Sequence, residues 1–407
     1  MMGFEFFIAR RYLQGRSRRL LSGTSAIAMG GVFVGVAAII IVLSVENGFH
    51  KELRDRILGA SPHITISQFG YKPIEYQGEG DSIVDKIRRV PGVVQVAPFI
   101  YSKILMRAGA LVEGGVVKGV DPDLEGELTD IKKSVLDGSF SFDSSGVVIG
   151  CELARSLGLF VGDQIVLFSP FAGTTTPVGY LPRTKTFRVN GIFDAGMYEY
   201  NASFVFVGLA DLQSFLGMPG SVNGFEVKCA DPLNASRLAR RIAFELGMPF
   251  RAIDWVVQNK NLFTALRLEK VVTFIVLVLI VFVAAFNIVG MLTMMVLRKT
   301  REIGILKTIG AKSQSITRLF MLVGLLIGVT GTAGGALFGF VVSYLLNRYR
   351  FVSLPGDVYF IKNLPVEMQW QDFVVVCASA LVITFAATFY PAWRAARLQP
   401  VEAIRYE

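Results

Sequence analysis

Two histidines and three cysteines are all that 407 residues supply to metal and thiol chemistry. His50 and His63 stand in no HExxH or other metal-ligand spacing, and no Gly-x-Ser-x-Gly elbow offers an activated serine. A phosphate-cradling Gly-Lys-Ser/Thr is also missing, since Lys312-Ser313 follows Ala311. The chain therefore reads as having no catalytic set, no metal and no ATP site of its own. Asp121-Pro-Asp-Leu-Glu-Gly126 begins like a calcium loop, but Pro122 fills its second position and Lys132 the place of the bidentate glutamate. A surface turn is expected there. Cys151 and Cys229 lie where a disulfide could form, yet no spacing demands one, and two free buried thiols are the simpler expectation.

Charge is scarce as well, at 18% of residues against 52% hydrophobic, with a mean hydropathy of +0.51. Four stretches hold no Asp, Glu, Lys or Arg at all: Leu20–Val45, Val271–Leu297, Leu319–Asn347 and Phe373–Trp393. Each can cross about 30 Å of hydrocarbon as a helix of roughly 20 residues. A helix in a soluble core normally shows one charged face to water, which none of these can do. The first is too long for a signal-peptide core, and Ser44-Val-Glu-Asn47 offers no cleavage site, so an uncleaved anchor is expected. The reading is four transmembrane α-helices at 24–45, 271–297, 319–347 and 373–393, with a large α+β domain (46–270) inserted between the first and the second.

Lys and Arg in the short loops orient the chain. Segment 1–23 carries Arg10, Arg11, Arg16, Arg18 and Arg19. Loop 298–318 carries Arg298, Lys299, Arg301, Lys307, Lys312 and Arg318, and tail 394–407 adds Arg394, Arg397 and Arg405. Loop 348–372 has only Arg348, Arg350 and Lys362. Both termini are expected in the cytoplasm and the insertion outside. The net charge of +9 flanks spans and forms no single patch, so nucleic acid is not an expected partner.

The insertion alternates strand-like runs (63–67, 146–149, 164–168, 186–192, 202–207, 225–228) with helical ones (82–90, 152–157, 209–216, 233–246), which suggests two lobes. Asp231 as cap, Pro232 in the first turn and Gly247 as stop frame the last helix. Ser169–Arg183 holds three prolines and two glycines and reads as a protruding, restrained loop, not a tight hairpin. Such loops usually carry function.

Ionisable groups inside the spans, which ion pathways need, are absent. Asn287 reads as an interhelical hydrogen-bonding group. The third span sets Gly324 and Gly328, Gly331 and Gly335, and Gly335 and Gly339 four apart, with Gly334 beside them, and Gly31 and Gly35 repeat the spacing in the first span. Glycines so spaced let helix backbones approach closely.

Three patches resemble a known family. They are Ala9-Arg-Arg-Tyr-Leu13 with Leu43-Ser-Val-Glu-Asn-Gly-Phe49; Asn261-Leu-Phe-Thr-Ala-Leu-Arg-Leu-Glu-Lys270 with Arg301-Glu-Ile-Gly-Ile-Leu-Lys-Thr-Ile-Gly-Ala311; and Tyr390-Pro-Ala-Trp-Arg-Ala-Ala-Arg397 with Pro400-Val-Glu-Ala-Ile-Arg-Tyr-Glu407. Together they look like the lipoprotein-releasing permeases LolC and LolE, within the wider group of ABC permeases that includes MacB-type exporters and the cell-division permease.

The resemblance implies a bacterial inner-membrane subunit with a periplasmic insertion that extracts lipoproteins and hands them to a periplasmic carrier of the LolA kind. It implies a separate LolD-like ATPase holding ATP and magnesium, and a second permease, identical or LolE-like. Loop 298–318 would be the coupling helix seated in that ATPase, through Arg301, Glu302, Ile305, Leu306, Ile309 and Lys312. Thr176, Pro177, Val178, Gly179, Tyr180, Leu181 and Pro182 match the hook by which LolC-type subunits hold the carrier; LolE-type subunits are not expected to carry it, so the chain looks more like LolC. Spans one and two would wall a greasy cleft for the lipoprotein and membrane lipids, with Val42, Val45, Phe49 and Phe274 near its rim. Gly31, Gly35, Gly328, Gly331, Gly335, Gly339 and Asn287 would serve helix packing. The alternatives are a MacB-like exporter, which usually carries its ATPase ahead of the first span, and a transmembrane regulator of periplasmic enzymes, whose insertion is typically much shorter.

Overall fold

A computed structural model describes residue 7 and residues 19–76, 78, 81–176, 179–349 and 364–398. The chain divides into two units: Met1–Lys51, Ala265–Ser353 and Asn363–Glu407 form one, and Glu52–Thr264 with Leu354–Lys362 the other. Helix α1 (Arg19–Ala60) outruns the charge-free stretch that announces it. Beyond Val45 it continues for about 15 residues, roughly 22 Å. The reason is local: Leu53, Ile57 and Ala60 recur on one buried side while Lys51, Arg54 and Asp55 stay exposed.

The second unit is built of β1 (Ile64–Gln68), β2 (Ile74–Glu75), α2 (Ser82–Arg88), β3 (Val93–Ala108), β4 (Leu111–Val120), α3 (Pro122–Leu128), β5 (Val135–Gly138), β6 (Gly146–Gly150) and α4 (Cys151–Leu157). It continues with β7 (Gln164–Thr176), β8 (Gly179–Phe193), α5 (Tyr198–Ser203), β9 (Phe204–Gly208), α6 (Leu209–Leu216), β10 (Ser221–Val222), β11 (Gly224–Cys229), α7 (Ala235–Leu246), β12 (Phe250–Asp254) and α8 (Trp255–Gln258). Strand β3 organises it. Its first half pairs with β11 in an antiparallel sheet ordered β12-β1-β11-β3. Its second half pairs with both β4 and β7, and the run β3-β4-β9-β6-β8-β7 closes on itself as a ring. These are the two parts of an α+β domain, joined through one strand.

Three expectations change. Residues 121–126 are no surface turn: Asp121 accepts from the Asp123 and Leu124 amides and caps α3, which carries the buried Glu125. Ser169–Arg183 is a hairpin, with Thr174 opposite Leu181 and Thr176 opposite Gly179. Pro170 is accommodated by a register shift between Ser169 and Gly173. Asp231 accepts from the Leu233 amide and so caps the short 3-10 turn Pro232–Asn234 ahead of α7, not α7 itself, while Gly247 (φ +65°) ends α7 as expected.

The other unit contains the rest of the helices: α9 (Lys260–Arg298), α10 (Thr300–Thr308), α11 (Ser313–Tyr349) and α12 (Trp370–Ala396). With α1 (from Ala26), α9, α11 and α12 are long and apolar enough to cross a membrane. Their common core gathers Val32, Val36 and Ile40 of α1, Leu292 and Met295 of α9, Phe320 and Val323 of α11, and Ala392 and Ala395 of α12.

Candidate functional site

Helix α10 is held by one face and bare on the other. Ile303 and Gly304 are fully buried, and Leu306 packs on the helical core. Ile305 is 45% and Ile309 79% exposed, with Arg301, Glu302 and Lys312 also exposed around them. Residues 301, 305 and 309 fall four apart and make one stripe. Leu306, although expected among the coupling residues, packs inward. Lys299 pairs with Glu302 at the start. At the end Gly310, at φ +104°, lets the Ala311 amide reach the Leu306 carbonyl at 2.9 Å and the Gly310 amide the Lys307 carbonyl at 3.1 Å, a Schellman closure.

The glycine ladder of α11 has two partners. A Cβ at Gly331 would stand 2.9 Å from Val32 Cβ, at Gly335 2.5 Å from the Phe33 carbonyl oxygen, and at Gly339 3.0 Å from Ile40 Cγ2, all on α1. Gly324 and Gly328 instead face Thr388 and Thr384 of α12. Gly31 lies beneath Asn287 of α9, and Gly35 beneath Ile280.

Helix α9 is the loosely held span. Little of its most apolar window is buried, whereas Ile288, Met291, Leu292, Met295 and Val296 are. Apolar grooves run on both sides of it. One, of about 540 Å³, lies between α1, α9 and α12 and is lined by Val36, Leu43, Phe274, Phe282 and Ile383 among others; the other, about 440 Å³, lies between α1 and α9 over Gly31, Gly35 and Asn287. Phe274 lines the larger groove and is 65% exposed. Val42, Val45 and Phe49 line neither, so the structure gathers only one of the four proposed rim residues.

Of the hook residues, Pro177 and Val178 lie outside the described residues. Thr176, Gly179 and Tyr180 are described as paired backbone, and Leu181 is 63% exposed near the hairpin's end with Pro182 also exposed.

One polar cluster in the inserted domain had no sequence signal, because its members are spread over 126 residues. Lys118 of β4 pairs with both oxygens of Glu125 at 2.9 Å and with Glu226 of β11 at 2.8 Å, all three buried. The Tyr101 hydroxyl donates to Glu226 at 2.9 Å and Thr129 to Glu125 at 2.9 Å. Burial alone would pull the lysine's pKa down, but the two carboxylates outweigh it and hold the pKa above its ordinary value. Burial also raises Glu226, against the opposing pull of Lys118. The cluster ties the ring of strands to the four-stranded sheet. Cys151, Cys229 and Cys377 are all free. Cys229 donates its amide to His63 Nδ1 at 3.0 Å, and burial pushes its thiol up to about 12.

Four spans, a long inserted domain and a small helix with one bare face are the arrangement of a multi-pass membrane permease. Residues 25–243 match the MacB-like periplasmic core domain, and residues 274–400 the FtsX-like permease C-terminal domain. A lipoprotein-releasing system transmembrane protein LolC from Xylella fastidiosa (strain 9a5c) is 37% identical, with 98% of each chain covered. From Haemophilus influenzae (strain ATCC 51907 / DSM 11121 / KW20 / Rd), LolE is 31% and LolC 30% identical, each with 99% of both chains covered. The chain belongs to the LolC/LolE family of multi-pass membrane permeases.

Proposed function

We propose that this chain is the permease subunit of an ABC transporter that releases lipoproteins from the outer leaflet of the bacterial inner membrane and passes them to a periplasmic carrier. A separate ATPase supplies the work, holding ATP and magnesium itself. Both termini and α10 face the cytoplasm and the inserted domain the periplasm, a reading that the Lys/Arg bias of the short loops supports. A second permease, identical or LolE-like, completes the pair. Identity to LolE and LolC of one organism is nearly the same, 31% and 30%, while the LolC of Xylella fastidiosa reaches 37%.

The observation that carries the reading is the bare Ile305–Ile309 stripe on a helix whose other side is buried in the span core. An isoleucine that is 79% exposed beside charged residues suits a protein groove better than water. The energetic need is plain. Each acyl methylene held in the bilayer contributes about 0.8 kcal/mol, so spontaneous desorption of a triacylated protein is negligible. The grooves flanking α9 offer acyl chains an apolar surface once the bilayer is left. The ATPase should co-purify with the wild-type chain and be lost with Ile309→Glu. Retention of the ATPase by that variant would contradict α10 as the seat.

A further inference from the structure

Helix α12 is fastened at both ends by polar contacts that apolar packing does not require. At its cytoplasmic end, Lys307 of α10 donates from Nζ to the carbonyl oxygens of Ala396 at 2.6 Å and Leu398 at 2.8 Å. The last carbonyls of a helix lack intrahelical partners and carry partial negative charge, so an ammonium there makes strong charge-assisted bonds. At the periplasmic end, Asn47 Nδ2 of α1 donates to Asp372 Oδ2 at 2.5 Å. The Glu367 amide donates to the Ser44 carbonyl at 2.9 Å, and Lys51 pairs with Glu367 at 2.8 Å. Gly48 makes the approach feasible, because a Cβ there would stand 2.5 Å from the Pro365 carbonyl oxygen. This gives Asn47-Gly48, prominent in the sequence, a mechanical part.

We propose that α12 is the transmission rod of the transporter. Lys307 passes displacement of the coupling helix to the cytoplasmic end of α12, and the Asn47–Asp372 and Ser44–Glu367 bonds pass it to α1. A helix of 27 residues spans about 40 Å, and a close-packed bundle does not absorb small shifts by compressing. Thr384 and Thr388, seated over Gly328 and Gly324, register α12 against α11 over one turn near the middle of the helix. Helix α9 is less buried than α12, although the larger groove borders both. Helix α1 then runs unbroken to Ala60. This inference rests on α10 being the seat of the ATPase.

The test uses the assembled transporter in proteoliposomes, following ATPase retention, ATP hydrolysis and transfer of a triacylated lipoprotein to the soluble carrier. Lys307→Met is expected to retain the ATPase and keep hydrolysing, while transfer falls about tenfold, the worth of one charged hydrogen bond in a coupling step. Lys307→Arg restores transfer, because it donates to the same carbonyls. Asn47→Ala lowers transfer alike. Combined with Lys307→Met it lowers transfer no further than the worse single change, because either change alone severs the path and the residual transfer bypasses it. Transfer at the wild-type rate in either single variant overturns the rod, as does a double variant whose defect multiplies. Loss of the ATPase from Lys307→Met also overturns it, by making Lys307 a docking group. Failure of the underlying reading looks different: Ile309→Glu would keep its ATPase.

Discussion

Thr384 of α12 sits directly over Gly328 of α11, so that a Cβ on the glycine would stand 2.5 Å from Thr384 Cγ2. The two helices meet backbone to side chain, and nothing larger than hydrogen fits. Gly328→Leu should force the spans apart, at a cost of about 1–3 kcal/mol for overpacking. The measurement is the thermal midpoint of the detergent-solubilised chain. Gly30→Ala is the control, since a Cβ at Gly30 meets nothing within 4 Å and its midpoint should not fall.

The buried Lys118 is the only cation that the described residues place on Glu125 and Glu226. Lys118→Met leaves two carboxylates buried without it and should destabilise the inserted domain by about 3–5 kcal/mol. The pH dependence follows from Glu226, whose pKa burial already raises. An acid with a raised folded pKa binds more protons in the native state, so stability is full below the ordinary carboxylate value and is lost as pH climbs through the raised one. Removing the lysine widens that window. The defect should be largest at pH 8 and shrink on acidification, read as protease resistance of the full chain.

Cys229 and Cys151 should each take one alkylating group after unfolding without reductant. In the native protein at neutral pH, Cys229 should react far more slowly than an exposed thiol, because its buried sulfur, with a pKa of about 12, yields little thiolate. Mass analysis of peptides after timed alkylation checks both. A disulfide-linked peptide pair would contradict the structure.

The hairpin tip can be shortened without touching the ring. Replacing residues 174–181 by Asn-Gly leaves the pairing of Gln164–Ser169 with Arg183–Arg188 intact. Membrane expression should be unchanged, while crosslinking of the carrier to a photoreactive group at Pro182 should be lost. Equal capture by the shortened chain would remove the hairpin from carrier docking.

The spans are legible because hydrocarbon excludes charge from whole helices, and the periodic runs 209–216 and 233–246 are legible for the usual amphipathic reason, although the second helix starts only at Ala235. The continuation of α1 to Ala60 was not, since charge marks the membrane edge and not the end of a helix. Strand β3 hides behind Pro98, which would ordinarily argue against a central strand. The hairpin hides behind its prolines for a similar reason. In α10 the apolar spacing was visible, but which side faces the bundle depends on contacts with residues far along the chain. That is why Leu306 looked like a docking residue and Lys307 did not look like anything. The Lys118 cluster assembles only when β3, β4 and β11 pair.

The central claim is that this chain turns a partner's ATP hydrolysis into lipoprotein extraction. The direct measurement is release of a triacylated lipoprotein from proteoliposomes holding the assembled transporter, with soluble carrier outside. The account predicts release that requires both ATP and carrier, and that stops with Ile309→Glu as the ATPase is lost. Release that continues without ATP, or persists in that variant, would contradict it.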